Sequence, residues 1–191
     1  MNRPVWFRFS ALALGAALLA VSATAVAKKT VEEERSEVRQ ASREALARLY
    51  AAQPAAKSAV AAGAGYATFS NFGLKIGVAG GGRGKGLAVV KGGREVFMRF
   101  VEVQAGLGLG IKKYDLIFVF DSKAALDSFI DKGWEAGGQA TAAASTGAKG
   151  KAYQGALSVS EGVWLYQLTS KGLAAELTVK GTKYYQDKDL N

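Results

Sequence analysis

Val38, Ala41, Ala45, Leu46 and Leu49 recur at helical spacing, and this apolar stripe predicts an α-helix from about Val31 to Tyr50. Thr30-Val31-Glu32-Glu33 in front of it has the form of a capping box, with Thr30 as N-cap and Glu33 three residues on. Arg35, Arg39 and Arg43 form an i, i+4 row on another face. The spacing reads as a solvated face with Glu44 and Arg48 as a local pair. A membrane-facing basic helix is the alternative, but its apolar side is mostly alanine and would bury little area in lipid. Pro54 ends this helix or begins a shorter one through Val60.

From Gly65 the period shortens to that of strands punctuated by glycine. Strands are predicted near Tyr66–Ser70, Leu74–Ala79, Gly86–Lys91, Val96–Leu109 and Tyr114–Phe120. The continuous apolar run from Leu116 to Phe120 suits a central strand. Asp121 or Ser122 caps a short helix, Lys123 to Asp131, with Leu126, Phe129 and Ile130 as its buried stripe. The segment after Gly133 is rich in Ala, Gly, Ser and Thr, and reads either as a loop or as a closely packed strand. Strands at Gly155–Ser160, Val163–Thr169 and Ala174–Lys180 follow, with turns at Glu161-Gly162 and Lys171-Gly172, before Tyr184-Tyr185 and a polar tail. The predicted class is α+β: an N-terminal helix, a mostly antiparallel sheet that is curled or barrel-like, and one inserted short helix.

The densest glycine stretch runs from Gly73 to Gly110. Glycine inside a strand marks a bulge, a corner, or close approach by another backbone or a ligand. Gly106, Gly108 and Gly110 alternate with Leu107, Leu109 and Ile111, which bares one strand face; tight sheet packing and a lipid-contacting surface are the two readings. Ala79 to Gly86 is not a nucleotide-binding P-loop, since Ala79 stands where the first glycine belongs and Gly86 where Ser or Thr belongs. It reads as a cationic hairpin turn, whose Arg83 and Lys85 could hold a phosphate together with main-chain N–H groups.

Composition narrows the function. The chain has 191 residues, 49% hydrophobic, enough for one domain with a real core. Arg3 and Arg8, the apolar run Ala11–Ala20 and Ala25-Val26-Ala27 form a secretory signal, with cleavage expected after Ala27 and one domain over 28–191. Retention as an uncleaved anchor is the alternative. An exported location follows, periplasmic or envelope-associated. Cysteine and histidine are both absent, which removes disulfides, thiolate metal sites and the usual catalytic base. Carboxylates are scattered; Asp127 and Asp131 share a helix face without a metal-binding loop. No enzyme, metal or cofactor is expected, and a carboxylate-based hydrolase ranks last.

The net charge is +9; without Arg3 and Arg8, 23 cations face 16 anions, near +7. A basic exported chain favours anionic lipid or envelope polyanions over nucleic acid. The candidate lipid-binding residues are Arg83, Lys85, Lys91, Arg94, Lys112 and Lys113, with Lys149 and Lys151 as outliers in the small-residue segment. Each cation at an anionic membrane contributes about 1 kcal/mol.

Four blocks occur in a recognisable order: GYATFSNFGLKIGVAGGGRGKGLAVVKGG, VQAGLGLGIKKYDLIFVFDSKAALDSF, GWEAGGQATAAAS and KGLAAELTVKGTKYY. Together they resemble the SYLF family, the yeast actin-regulator or Las17-binding domain, over about Ser36 to Tyr185. Gly65, Tyr66, Phe69, Gly80–Gly84, Gly106, Leu107, Gly108, Asp121, Ala125, Leu126, Gly138 and Ala140 carry the likeness, mostly as fold determinants. The resemblance implies binding of phosphoinositides or other anionic phospholipids, actin contact in some eukaryotic members, and export in bacterial ones. The expectation is a non-enzymatic anionic-phospholipid binder of the envelope. The alternative is a scaffold domain that recognises a protein or a cell-wall polymer.

Overall fold

The computed structural model describes residues 29–76, 79–105, 110–136, 153–174 and 181–191. Helix α1 spans Val31–Ala52 and α2 spans Ala56–Ala62. The capping box is formed: Thr30 Oγ1 accepts from the Glu33 amide, and the Glu33 carboxylate accepts from the Thr30 amide. Then come β1 (Gly65–Ile76), β2 (Ala79–Val90), β3 (Glu95–Ala105), β4 (Gly110–Phe120), α3 (Lys123–Lys132) and β5 (Trp134–Ala136). β6 (Leu157–Ser160), β7 (Val163–Thr169), β8 (Gly172–Leu173) and β9 (Thr182–Gln186) complete the described elements. All strand pairs among the described residues are antiparallel, in the order β5-β9-β3-β2-β1-β4-β7-β6 with β8 on β7.

The sheet is curled, as one distance demonstrates. β9 and β4 lie four strand steps apart, roughly 19 Å in a flat sheet. Yet the rings of Phe118 on β4 and Tyr184 on β9 have centroids 5.3 Å apart. Phe69 and Phe100 enter the same concave core, which α3 closes with Leu126, Phe129 and Ile130. Trp134 packs against this core from its rim, edge-on to Phe118. On the convex face, Ile117, Val119 and Tyr166 pack beneath Ala45 and Leu49 of α1 and Ala56 of α2. The Leu116–Phe120 run is therefore buried on both sides, as a central strand requires.

α1 is tied to the sheet by polar contacts as well. Thr68 donates to Ser42 in a buried hydroxyl pair at 2.7 Å. Arg35 and Arg39 stack over the Phe97 ring at 5.7 and 5.1 Å, and Arg39 Nε bonds Glu95 at 2.8 Å. Two arginines of the row expected to be a solvated face thus help dock the helix.

Two expectations on the glycine-rich stretch need correction. Tyr66–Ser70 and Leu74–Ala79 are not two strands; Gly65–Ile76 is one. Ala79–Gly86 is no hairpin turn, because the whole run lies in β2, laddered to β3 throughout and to β1 at all but Gly84 and Lys85. The glycines serve packing instead: a Cβ on Gly84 would stand 2.4 Å from the Phe100 ring, and one on Gly86 2.2 Å from the Phe69 ring. The turn with positive φ is Gly92-Gly93, between β2 and β3. Tyr184 and Tyr185, to which the sequence assigned no element, lie in β9. The predicted strand from Ala174 to Lys180, the small-residue segment beyond Ala136 with Lys149 and Lys151, Gly106–Leu109 and the leader fall wholly or mostly outside the described residues.

Candidate functional site: cations along the glycine-rich strands

The register fixes where the six candidate cations stand. Arg83 pairs with Val101 on one side and with Phe72 on the other, and Phe72 pairs in turn with Lys113. Arg83 and Lys113 therefore occupy one cross-strand row, two strand steps or roughly 10 Å apart. Lys112 stands in the adjacent row, opposite Gly73. Arg83 is exposed and makes no ion pair among the described residues.

Lys85 lies under α1, half-buried, in an ion pair with Glu34. Lys91 and Arg94 flank the Gly92-Gly93 turn at the other end of β2, and Arg94 faces Asp127 of α3 at 3.7 Å. Eight residues of extended chain separate Arg83 from Lys91, roughly 26 Å. The structure thus brings Arg83, Lys112 and Lys113 into neighbouring rows at one end of the sheet. It sets Lys91 and Arg94 apart at the other, and leaves Lys85 between them with an acid partner.

At Arg83 the main chain of β2 is paired to Phe72 of β1 and Val101 of β3, while Gly84 and Lys85 are paired to β3. An anion at Arg83 itself would meet mainly side chains.

Several features of this region had no clear signal in sequence. Val101, beside Arg83, is 42% exposed, one of two large apolar side chains so open among the described residues. A cleft of about 630 Å³ opens between the C-terminal half of α1 and the β7–β8 hairpin, lined by Ala41, Glu44, Arg48, Asp115, Leu168 and Thr169. At this cleft Arg48 Nη2 lies 2.7 Å from Asp115, whose other oxygen accepts from Ser70 at 2.8 Å. On the concave side Tyr114 donates to the buried Glu102 carboxylate at 2.6 Å. Among the described residues the buried hydroxyls of Tyr184 and Thr182 have no hydrogen bond of good geometry there. Burial drives the Tyr184 phenol well above its usual pKa and that of Tyr166 to about 12. Charge repeats and glycine spacing expose none of these contacts, since each joins residues from distant elements.

Among the described residues no group of three or more potential ligands could hold a metal ion. Among them, too, no helix is long and apolar enough to cross a membrane.

A family model described as "Ysc84: Las17-binding protein actin regulator" matches residues 101–191. The chain is also 32% identical over 165 residues to "Beta cell expansion factor A" of Aeromonas veronii. That alignment takes in 85% of this chain and 60% of the relative, so the chain spans about three-fifths of the length of the protein it matches.

Proposed function

Residues 101–191 carry the Ysc84 domain of the Las17-binding actin-regulator family, the SYLF family, and from that premise we propose that the chain is a non-enzymatic binder of anionic phospholipid. The observation that supports the reading is the row holding Arg83 and Lys113. It sets an exposed guanidinium, without an ion pair among the described residues, within roughly 10 Å of a second cationic position. Lys112 in the next row adds to the same end of the sheet. Lys85, Lys91 and Arg94 contribute background charge rather than contacts. The absence of histidine and cysteine favours binding over catalysis. The leader-like segment before Lys28 favours an exported, envelope-associated site of action.

Co-sedimentation with vesicles tests the proposal. Binding of the full chain should rise with phosphatidylglycerol content and fall steeply as salt screens exposed charge. Equal binding to pure phosphatidylcholine vesicles would overturn it. A protein-recognition role is the second reading, favoured by the description of the matched family as Las17-binding. Retention of one envelope protein by an Arg83→Glu variant that has lost vesicle binding would favour that role.

A further inference from the structure

At the end of β2 far from Arg83, a cavity of about 300 Å³ opens between α2 and the adjoining ends of β1 and β2. Val60 and Ala61 of α2, Tyr66 of β1 and Val89 of β2 give it apolar walls, and Val60, Tyr66 and Val89 are half-buried. Lys91 and Gly92, at the turn that follows β2, belong to the same lining.

Of the residues that line the cavity, Lys91 alone carries a charge. It is exposed and stands in no ion pair among the described residues. The acids around the turn are engaged elsewhere: Glu95 with Arg39 at 2.8 Å, and Asp127 with Lys123 and, at 3.7 Å, with Arg94. An ammonium without a counter-charge beside low-dielectric walls attracts an anion more strongly than the same group in open water. Gly92 adds a donor. Its amide makes no backbone hydrogen bond among the described residues, while those of Val90 and Gly93 close the turn. A Cβ on Gly92 would meet nothing within 4 Å, so the approach to that amide is open.

We propose that this cavity binds a small amphiphilic carboxylate, a short aliphatic or aromatic acid whose body lies against Val60, Tyr66 and Val89 and whose carboxylate takes the Lys91 ammonium and the Gly92 amide. Size and charge select the class. A volume of about 300 Å³ stands at the lower end of small-molecule sites and has no room for a two-chain lipid. One ammonium answers one negative charge, and a doubly charged phosphate monoester would leave half of its charge unanswered. The site lies at the opposite end of β2 from Arg83 and is independent of the lipid-binding reading.

Titration of the isotope-labelled full chain with hexanoate, followed by amide chemical shifts, tests this. Saturable shifts are expected at Tyr66, Val89, Lys91 and Gly92, with hexan-1-ol and hexylammonium about tenfold weaker or more at the same ionic strength, the order of one charge-assisted hydrogen bond. Lys91→Met should weaken hexanoate by about the same factor, and Lys91→Arg should keep most of the affinity. Ala61→Leu, which fills part of the cavity and leaves its charge alone, should weaken hexanoate as well. Lys91 and Ala61 are both exposed, so all three variants should melt as the wild type does. Hexan-1-ol binding as tightly as hexanoate overturns the inference. So does an unchanged affinity in Lys91→Met, or a set of shifts spread evenly over the exposed lysines.

Discussion

The ring of Phe69 lies directly over Gly86, so close that a Cβ on the glycine would meet ring carbon Cδ1 at 2.2 Å and the Thr68 carbonyl oxygen at 2.4 Å. Main chain cannot yield as a side-chain tip does. Gly86→Ala should destabilise the fold by about 1–3 kcal/mol through overpacking. Urea unfolding measures this, and a midpoint equal to wild type would refute the packing role of the glycine.

The hydroxyl pair between Ser42 and Thr68 joins α1 to β1 inside a buried contact. Ser42→Ala leaves the Thr68 hydroxyl without its partner, at a cost of about 1–3 kcal/mol. Ser42→Ala with Thr68→Val should cost less than the two single changes added together. Additive losses in the double-mutant cycle would show that the pair does not act as a unit.

Tyr184 is fully buried, and among the described residues its hydroxyl has no hydrogen bond of good geometry, Thr182 being its nearest candidate. Tyr184→Phe keeps the ring in the aromatic core and removes an unsatisfied polar atom, so stability should hold or rise by up to about 1 kcal/mol. A loss of stability in thermal or urea unfolding would mean that the hydroxyl is engaged.

The pH dependence on the alkaline side follows from three phenols. Burial raises Tyr166 to about 12 and Tyr184 well above its usual value; burial, then the bond to Asp121, raises Tyr153 likewise. A raised phenol pKa means that the fold favours the neutral form. The stability it gives is complete below the ordinary value of 10.0 and is lost as pH rises from there through the folded-state values. Absorbance at 295 nm should therefore show these tyrosines ionising together with unfolding above pH 10.0, rather than at it. Independent ionisation in a still-folded chain would contradict the burial.

Charge reversal separates the two ends of β2. Arg83→Glu should weaken binding to phosphatidylglycerol vesicles by about 2 kcal/mol, near thirtyfold, at about 1 kcal/mol per unit of charge. Lys91→Glu, roughly 26 Å away along the strand, should do far less. Equal losses would mean that binding senses net charge rather than this end of the sheet.

Much of the architecture was legible in local pattern. The Thr30 cap, the stripe of α1, the short helix after Ser122 and the doubly buried Leu116–Phe120 run follow from spacing and capping chemistry. Ala79–Gly86 was not legible as strand, because glycine punctuates turns locally, and only the Phe69 and Phe100 rings reveal why a strand needs it there. Tyr184 was missed for a related reason: its partners Phe69, Phe118 and Phe129 come from three separate elements. The sequence pointed to the cations as residue types but not to their distribution. Register alone separates Arg83 from Lys91, and tertiary contact alone gives Lys85 its Glu34.

The two-sided bonding of β2 has a consequence for recognition. With the peptide groups of Arg83 committed to β1 and β3, the backbone at this residue offers little to outline one phosphate ester against another. Discrimination at this spot would come down to valence: phosphatidylglycerol and phosphatidylserine, alike in net charge, should compete as near equals, while a more highly charged phosphoinositide should outbid both by coulombic attraction alone.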